Sequence, residues 1–333
     1  MILVTGGTGL LGGHLLIELT QSDNAIRSIY RSEKRIKSVE KLFHYYLGDN
    51  YLESWKKIEW VSADILDIES LKLAFEGVDT VYHSAGFVSF ASSDFRKCIK
   101  INREGTTNIV NLCLRFQVNK LGYVSSTAAV GGKEGILITE NDKWENTPLT
   151  SGYSVSKYLA EKEVWRGVEE GLNAVIINPC VILGPGNWDE TSLTIFKKAS
   201  KGMTYYPTGS NATVDARDVA SCLVKLVNGS FSNDRFLCIG TNQSIRQLFT
   251  EIASQSKAKV PKSPISKKWL VFISRISSPF YRLMGKKSPL SMDTINSAYK
   301  NLKYDNSKII QATSHDFYSL QETVRNTLKA GKF

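Results

Sequence analysis

Cysteine is scarce and scattered. The five present in 333 residues (Cys98, Cys113, Cys180, Cys222 and Cys238) show no C-x-x-C spacing and sit in apolar surroundings. This argues against a disulfide framework and against a zinc site, and it reads each thiol as a small core residue. Such usage suits a reducing cytoplasm. Long apolar runs are lacking too, so no bilayer-spanning helix is expected. The nearest run, Trp269-Leu270-Val271-Phe272-Ile273, is interrupted by Arg275 and Pro279. It reads as a lid helix of a substrate-binding unit, with a half-exposed helix touching a membrane or a partner as the alternative. No signal peptide is expected, because the first strand begins at residue 1. Acidic residues are outnumbered, 32 against 42 Lys and Arg, giving a net charge of +10. No RNA- or DNA-binding motif accompanies that excess, which sits in runs such as residues 31–41 and 257–268. Attraction of an anionic cofactor or substrate is the expected use, with no nucleic-acid partner and no metal.

What is present begins at once. The stretch Ile2-Leu3-Val4-Thr5-Gly6-Gly7-Thr8-Gly9-Leu10-Leu11-Gly12 is an apolar strand, a glycine turn and the start of a helix over residues 10–20. Gly6, Gly9 and Gly12 lie three apart. Side chains there would hold a pyrophosphate away from the backbone N–H groups and helix N-terminus that bind it. Thr5, Gly6, Thr8, Gly9, Leu10, Leu11 and Gly12 are therefore candidate dinucleotide contacts. Length and composition (42% hydrophobic, 22% charged) fit one doubly wound α/β domain of the Rossmann type, with a smaller C-terminal appendage.

Ile26-Arg27-Ser28-Ile29-Tyr30 reads as the second strand. A carboxylate at its end would bind the ribose hydroxyls of NAD, whereas Arg31 stands where a 2′-phosphate is gripped. NADP is thus favoured over NAD. Asp64 and Ile65 close the third strand and are placed to reach the adenine; Asp67 caps the next helix. Strand four runs Thr80-Val81-Tyr82-His83 into Ser84, Ala85 and Gly86, small residues that admit the nicotinamide half. His83 reads as a packed, hydrogen-bonded histidine and not as a base. Phe87 and Phe90 follow as an apolar wall, and Asn102 opens a helix. Strand five ends in three hydroxyls, Ser125, Ser126 and Thr127. Pro148 precedes a helix capped by Thr150 or Ser151, which carries Tyr153 and Lys157 on one face. An ammonium near the phenol is expected to lower the tyrosine pKa towards working pH.

Together these residues resemble the extended short-chain dehydrogenase/reductases, which include the NAD-dependent epimerase/dehydratase proteins. The similarity is greatest to the dihydroflavonol-reductase-like and 3β-hydroxysteroid-dehydrogenase-like branches. The family's T-G-x-x-G-x-x-G falls on Thr5, Gly6, Gly9 and Gly12, its Y-x-x-x-K on Tyr153 and Lys157, and its N-x-x-G-T on Asn102, Gly105 and Thr106. Its active-site Ser/Thr aligns best with Thr127, with Ser126 the adjacent alternative. The resemblance implies that Tyr153 exchanges a proton with the substrate oxygen and that Lys157 holds the ribose hydroxyls. It implies that Thr127 bonds the reacting oxygen and that Asn102 maintains a water or backbone relay. Ser125, Ser126, Pro179, Val181 and Ile182 would add cofactor contacts, and a homodimer is implied. In the R-P-x-x-x-x-G-P element, Asn178 replaces the usual Arg. Ala128-Ala129 follow Thr127 where sugar-nucleotide dehydratases place an acid pair. Asn211-Ala212-Thr213 stands where epimerases commonly carry an Arg for the substrate pyrophosphate, leaving Arg217 or Arg246 as substitutes. The expected division is a cofactor core over residues 1–178 and a mainly substrate-binding part over 179–333, returning to the core around 214–240. Phe87, Phe90, Trp188, Tyr205 and Tyr206 would wall the substrate, although each aromatic equally fits the small unit's own core. The expected activity is NADP(H)-dependent interconversion of a ketone or aldehyde and an alcohol. The alternatives are a sugar or sugar-nucleotide epimerase, or a catalytically silent dinucleotide sensor.

Overall fold

A computed structural model describes residues 1–147, 150–283 and 290–331; Pro148 lies outside them. Seven parallel strands make the central sheet: β1 (Ile2–Thr5), β2 (Ile26–Tyr30), β3 (Ile58–Ser62), β4 (Thr80–His83), β5 (Lys120–Val124), β6 (Ala174–Pro179) and, beyond two strands of a second sheet, β9 (Asp234–Cys238). Their order is β9-β6-β5-β4-β1-β2-β3. The chain winds outward from β1 through β3 and then crosses back to β4. A topological switch therefore lies between β1 and β4, where the carboxyl ends of the strands leave a crevice.

The apolar runs form this sheet because helices cover both of its faces. In β1, Ile2 and Val4 join one buried cluster with Leu15, Leu223 and Leu226, while Leu3 joins the other with Phe75, Ile109 and Val164. In β6, Val175 and Ile177 face the first cluster, Ala174 and Ile176 the second. Alternation of period two thus separates two cores. All five cysteines are buried and none is in a disulfide.

A second sheet joins β7 (Val181–Leu183), β8 (Ser210–Asp215) and β10 (Thr241–Ser244). Leu183, Leu193, Phe196, Leu248, Ile252 and Val324 form a third, smaller core beside it. From β8 the chain turns back, Asp215 capping a helix, Ala216–Asn228, that packs on the first helix of the chain.

One helix differs from expectation. The one expected to open at Asn102 starts earlier and runs Phe95–Cys98, Ile99–Glu104, Gly105–Arg115, its middle third wound as a π-helix. The apolar run around Trp269 lies, as expected, in a helix, which spans Lys267–Leu283 and continues through Arg275 and Pro279. Among the described residues, no helix is long and apolar enough to cross a membrane.

Candidate active site

The glycine turn is shaped first by its own packing. Gly6 has φ +75°, and a Cβ there would lie 2.6 Å from the Ala85 nitrogen. A Cβ on Gly12 would stand 2.0 Å from the Gly6 oxygen. Both glycines are thus required by close backbone approach as well as by any ligand. Helix α1 (Leu10–Leu19) has Gly9 as N-cap, with no side-chain cap. The N–H groups of Leu10, Leu11 and Gly12 precede the first intrahelical bond and suit an anion. Thr8, Gly9 and Leu10 are half-buried along this edge.

Thr5 departs from the expected cofactor contact. It is wholly buried, its Oγ1 lying 2.6 Å from His83 Nδ1 and accepting a bond from Ala85 N. The other ring nitrogen of His83 lies 3.0 Å from Thr106 Oγ1. Burial, aided by the Lys157 charge, pushes the His83 pKa down to about 3. His83 is therefore a neutral strut between β1, β4 and the Gly105–Arg115 helix. At the adenosine end, exposed Arg31 and half-buried Asp64 face each other at 3.8 Å. The Ile65 side chain, expected against adenine, is buried on the bare face of Gly105.

Tyr153 and Lys157 rise from helix α3 (Gly152–Glu169), which follows α2 (Gly105–Arg115) and is N-capped by Ser151. Burial pushes the Tyr153 phenol up to about 12, and a hydrogen bond from the Ser126 side chain opposes the shift. The expected lowering by Lys157 is not found. The Lys157 ammonium is spent on Val124 O (2.8 Å) and Tyr123 Oη (3.3 Å). Burial brings its pKa down to about 8, against the pull of Glu161. The Ser126 hydroxyl is near the phenol, and that of the neighbouring Thr127 is near the buried Tyr304. The cause is local: β5 ends at Val124, and Ser126 caps a 3₁₀ turn, Thr127–Ala129, accepting from Ala128 N. That turn rotates the two adjacent side chains apart.

Asn102 is buried in the π-helical segment. It accepts from Phe87 N (2.7 Å) and donates to Phe87 O (2.9 Å) and Ser156 Oγ (2.9 Å). These bonds pin the strand-four loop to α3, leaving Gly86 exposed, where a Cβ would come 4.0 Å from Lys157 Nζ. Ser84 and Ala85 are half-buried beside it.

Beneath these groups lies a network that sequence reasoning did not find. Glu161 is buried and receives Ser125 Oγ (2.6 Å), Asn178 Nδ2 (2.8 Å) and Arg235 (3.1 Å). Ser125 is thus turned from the expected cofactor contact into the core. Asn178 donates to Glu161 and Ser126 O. A guanidinium reaches Glu161 from Arg235 on neighbouring β9, which also binds the Glu140 carbonyl. Glu161, four residues after Lys157 on a face with Ala160 and Val164, was a readable signal. Arg235, 74 residues away, was not.

On the substrate side, Phe90 meets Tyr153 edge-on at 5.6 Å. Phe87 packs partly on the core with Lys97 Nζ 4.6 Å from its ring centre. Trp188 packs on Phe196 within the third core, and exposed Tyr205 belongs to a short strand, Tyr205–Tyr206, paired with Ser263–Pro264. Pro179 ends β6 buried; Val181 and Ile182 are half-buried in β7. Arg217 is bound to Asp215 through Nε (3.0 Å) and Nη2 (2.8 Å) and stacks on Tyr318, which removes it as a substitute for the missing substrate arginine. Arg246 lies 5.4 Å from the Tyr206 ring centre.

The sequence pattern of the NAD dependent epimerase/dehydratase family matches residues 2–236. The chain belongs to that family. It is 29% identical to anthocyanidin reductase of Arabidopsis thaliana over 74% of this chain and 77% of that one. Its fold matches yeast methylglyoxal/isovaleraldehyde reductase Gre2 complexed with NADPH, with TM-score 0.72, 17% identity and coverage of 99% and 97%. It also matches Bordetella bronchiseptica WbmH in complex with NAD+, with TM-score 0.73, 18% identity and the same coverage. Members of this family are nicotinamide-dinucleotide-dependent enzymes of the extended short-chain dehydrogenase/reductase type, and this protein is one.

Proposed function

We propose that the protein is an NADP(H)-dependent reductase of a ketone or aldehyde, working reversibly on the alcohol. The observation carrying this reading is the half-buried Tyr153, set between Ser126 and the Phe90 ring, one helical turn before Lys157. The glycine turn and the uncapped start of α1 fit a pyrophosphate, and the small Ser84-Ala85-Gly86 run fits a nicotinamide beside Lys157. When bound, the cofactor supplies or accepts the hydride.

Tyr153 exchanges a proton with the substrate oxygen through its hydroxyl. A phenol whose pKa is raised to about 12 is fully protonated at neutral pH and suits donation to an alkoxide forming beside it. Lys157 holds the ribose hydroxyls with the protons it does not give to Val124 O. Its positive charge is present below about pH 8. Ser126 bonds the reacting oxygen, with Thr127 able to share that role. Asn102 fixes the floor of the site through Phe87. Arg31 is the reader of a 2′-phosphate, in competition with Asp64. Residues 1–178 hold the cofactor, and the third core with the second sheet forms the substrate-binding part.

Ala128-Ala129 beside the reacting hydroxyls and the commitment of Arg217 to Asp215 favour this reading over dehydration or nucleotide-sugar epimerisation. The test is NADPH and NADH oxidation by purified protein over a panel of ketones, aldehydes and nucleotide sugars. Steady consumption with one carbonyl, faster with NADPH, is expected, and Tyr153→Phe is expected to abolish it while retaining dinucleotide binding. Interconversion of a sugar epimer without net redox change, or undiminished turnover by Tyr153→Phe, would overturn the reading.

A further inference from the structure

The helix Lys267–Leu283 carries an apolar stripe that no part of the described chain covers. Trp269, Phe272, Ile273 and Ile276 are 61%, 54%, 40% and 63% exposed. Their spacing of three, four and seven places them on one face. The opposite side is closed against the protein, where buried Ser274 donates to Leu290 O at 2.6 Å. Trp269 and Phe272 meet edge to face at 5.7 Å, so the two largest rings are held together at the surface.

The charge around this stripe has one sign. From residue 252 to 277 the sequence has six cations, Lys257, Lys259, Lys262, Lys267, Lys268 and Arg275, and no Asp or Glu. Lys267, Lys268 and Arg275 are exposed on the helix itself. We infer that this face docks on an anionic lipid surface, with the helix lying in the headgroup layer.

Three arguments select that occupant. An apolar face flanked by Lys and Arg is the pattern of interfacial helices, which bury aromatic side chains while the cations meet lipid phosphates. A second copy of the chain would set one all-positive segment against another across a two-fold axis, which repels. A nucleic acid would use the cations but leave four large apolar side chains in water. At 17 residues with cations inside it, the helix lies on a bilayer and does not cross it.

The other side of this helix, opposite the docking face, leads to the candidate active site. Ser291, one residue after the Leu290 anchor, donates to Phe90 O at 2.6 Å, and Phe90 touches Tyr153. The membrane reading rests on exposure and charge and stands independently of the chemistry assigned to Tyr153.

The test is cosedimentation of the full chain with phosphatidylcholine vesicles and with phosphatidylcholine–phosphatidylglycerol vesicles, at low and high salt. Binding to the anionic vesicles, weakened by salt and weak on the neutral ones, is expected. Lys267→Ala combined with Lys268→Ala is expected to lower vesicle affinity about thirtyfold, from about 1 kcal/mol per cation. Trp269→Ser with Ile276→Ser is expected to remove binding while leaving the unfolding midpoint within error, since both side chains are exposed. Failure to bind anionic vesicles would overturn the inference. So would binding indifferent to the serine substitutions, or a change in oligomeric state by those variants without vesicle binding.

Discussion

The two ends of the candidate active site are built in opposite ways. On the cofactor side, polar side chains are buried and tied to one another: Thr5 to His83 to Thr106, and Ser125 to Glu161 to Arg235. On the substrate side, aromatics are half-buried or exposed. Phe90 and Tyr205 are exposed, and Phe87 and Trp188 are half-buried. A buried network that is fully bonded fixes geometry, and losing one member leaves the others stranded in low dielectric. An exposed ring can be replaced at little cost in stability. The difference separates what the fold must hold constant from what can vary with the substrate.

Acid gives the largest expected contrast. The folded-state pKa of His83, about 3, lies below the ordinary value of 6.5, so the unfolded chain binds the proton first. Stability from this group is complete above pH 6.5 and is lost as pH falls towards 3, by at most roughly 5 kcal/mol. Urea unfolding of wild type and His83→Asn across that window should converge as pH falls. Parallel curves would mean that His83 is not the neutral strut described. Next is Arg235→Met, which strands the Glu161 carboxylate and should cost about 3–5 kcal/mol in the same assay. Arg235→Met with Glu161→Met should recover much of that loss, and a double variant no better than the single would remove the ion pair from the account. Phe90→Ala, on the other side, should leave stability within about 0.5 kcal/mol. It should raise KM for an apolar carbonyl more than it lowers kcat; an equal fall in kcat and kcat/KM, with KM unchanged, would place Phe90 among the groups that act only in the transition state. The smallest effect is expected from Gly86→Ala. Its new methyl would lie 3.4 Å from Asn102 Oδ1 and 4.0 Å from Lys157 Nζ, close to ordinary contact, so cofactor affinity should barely change by titration.

The same division governs what could be read from the chain. The glycine turn, the strand ends and the Tyr153–Lys157 pair are local patterns, and the crevice between β1 and β4 follows from them. The packed state of His83 was legible because no partner with catalytic spacing accompanies it. The burial of Thr5, Ser125 and Ile65 was not, since a motif names residues without saying which way each side chain turns. Ser126 lies near Tyr153 at the start of a 3₁₀ turn that hydroxyl-rich sequence does not announce. Arg235 joins Asn178 on Glu161 from an adjacent strand, a meeting visible only once β6 and β9 pair in register.

The π-helical segment Ile99–Glu104 has a mechanical consequence. Before it, Phe95 lies against Gly152; within it, Asn102 reaches Phe87; after it, Thr106 reaches His83. Each extra residue in such a segment advances the angular phase of a helix by roughly 100°. The two halves of this helix are therefore indexed differently, like two scales meeting at an offset. Removing one residue from the segment would bring the scales into line, and either the Asn102 and Thr106 contacts or the Phe95 contact would rotate off its target.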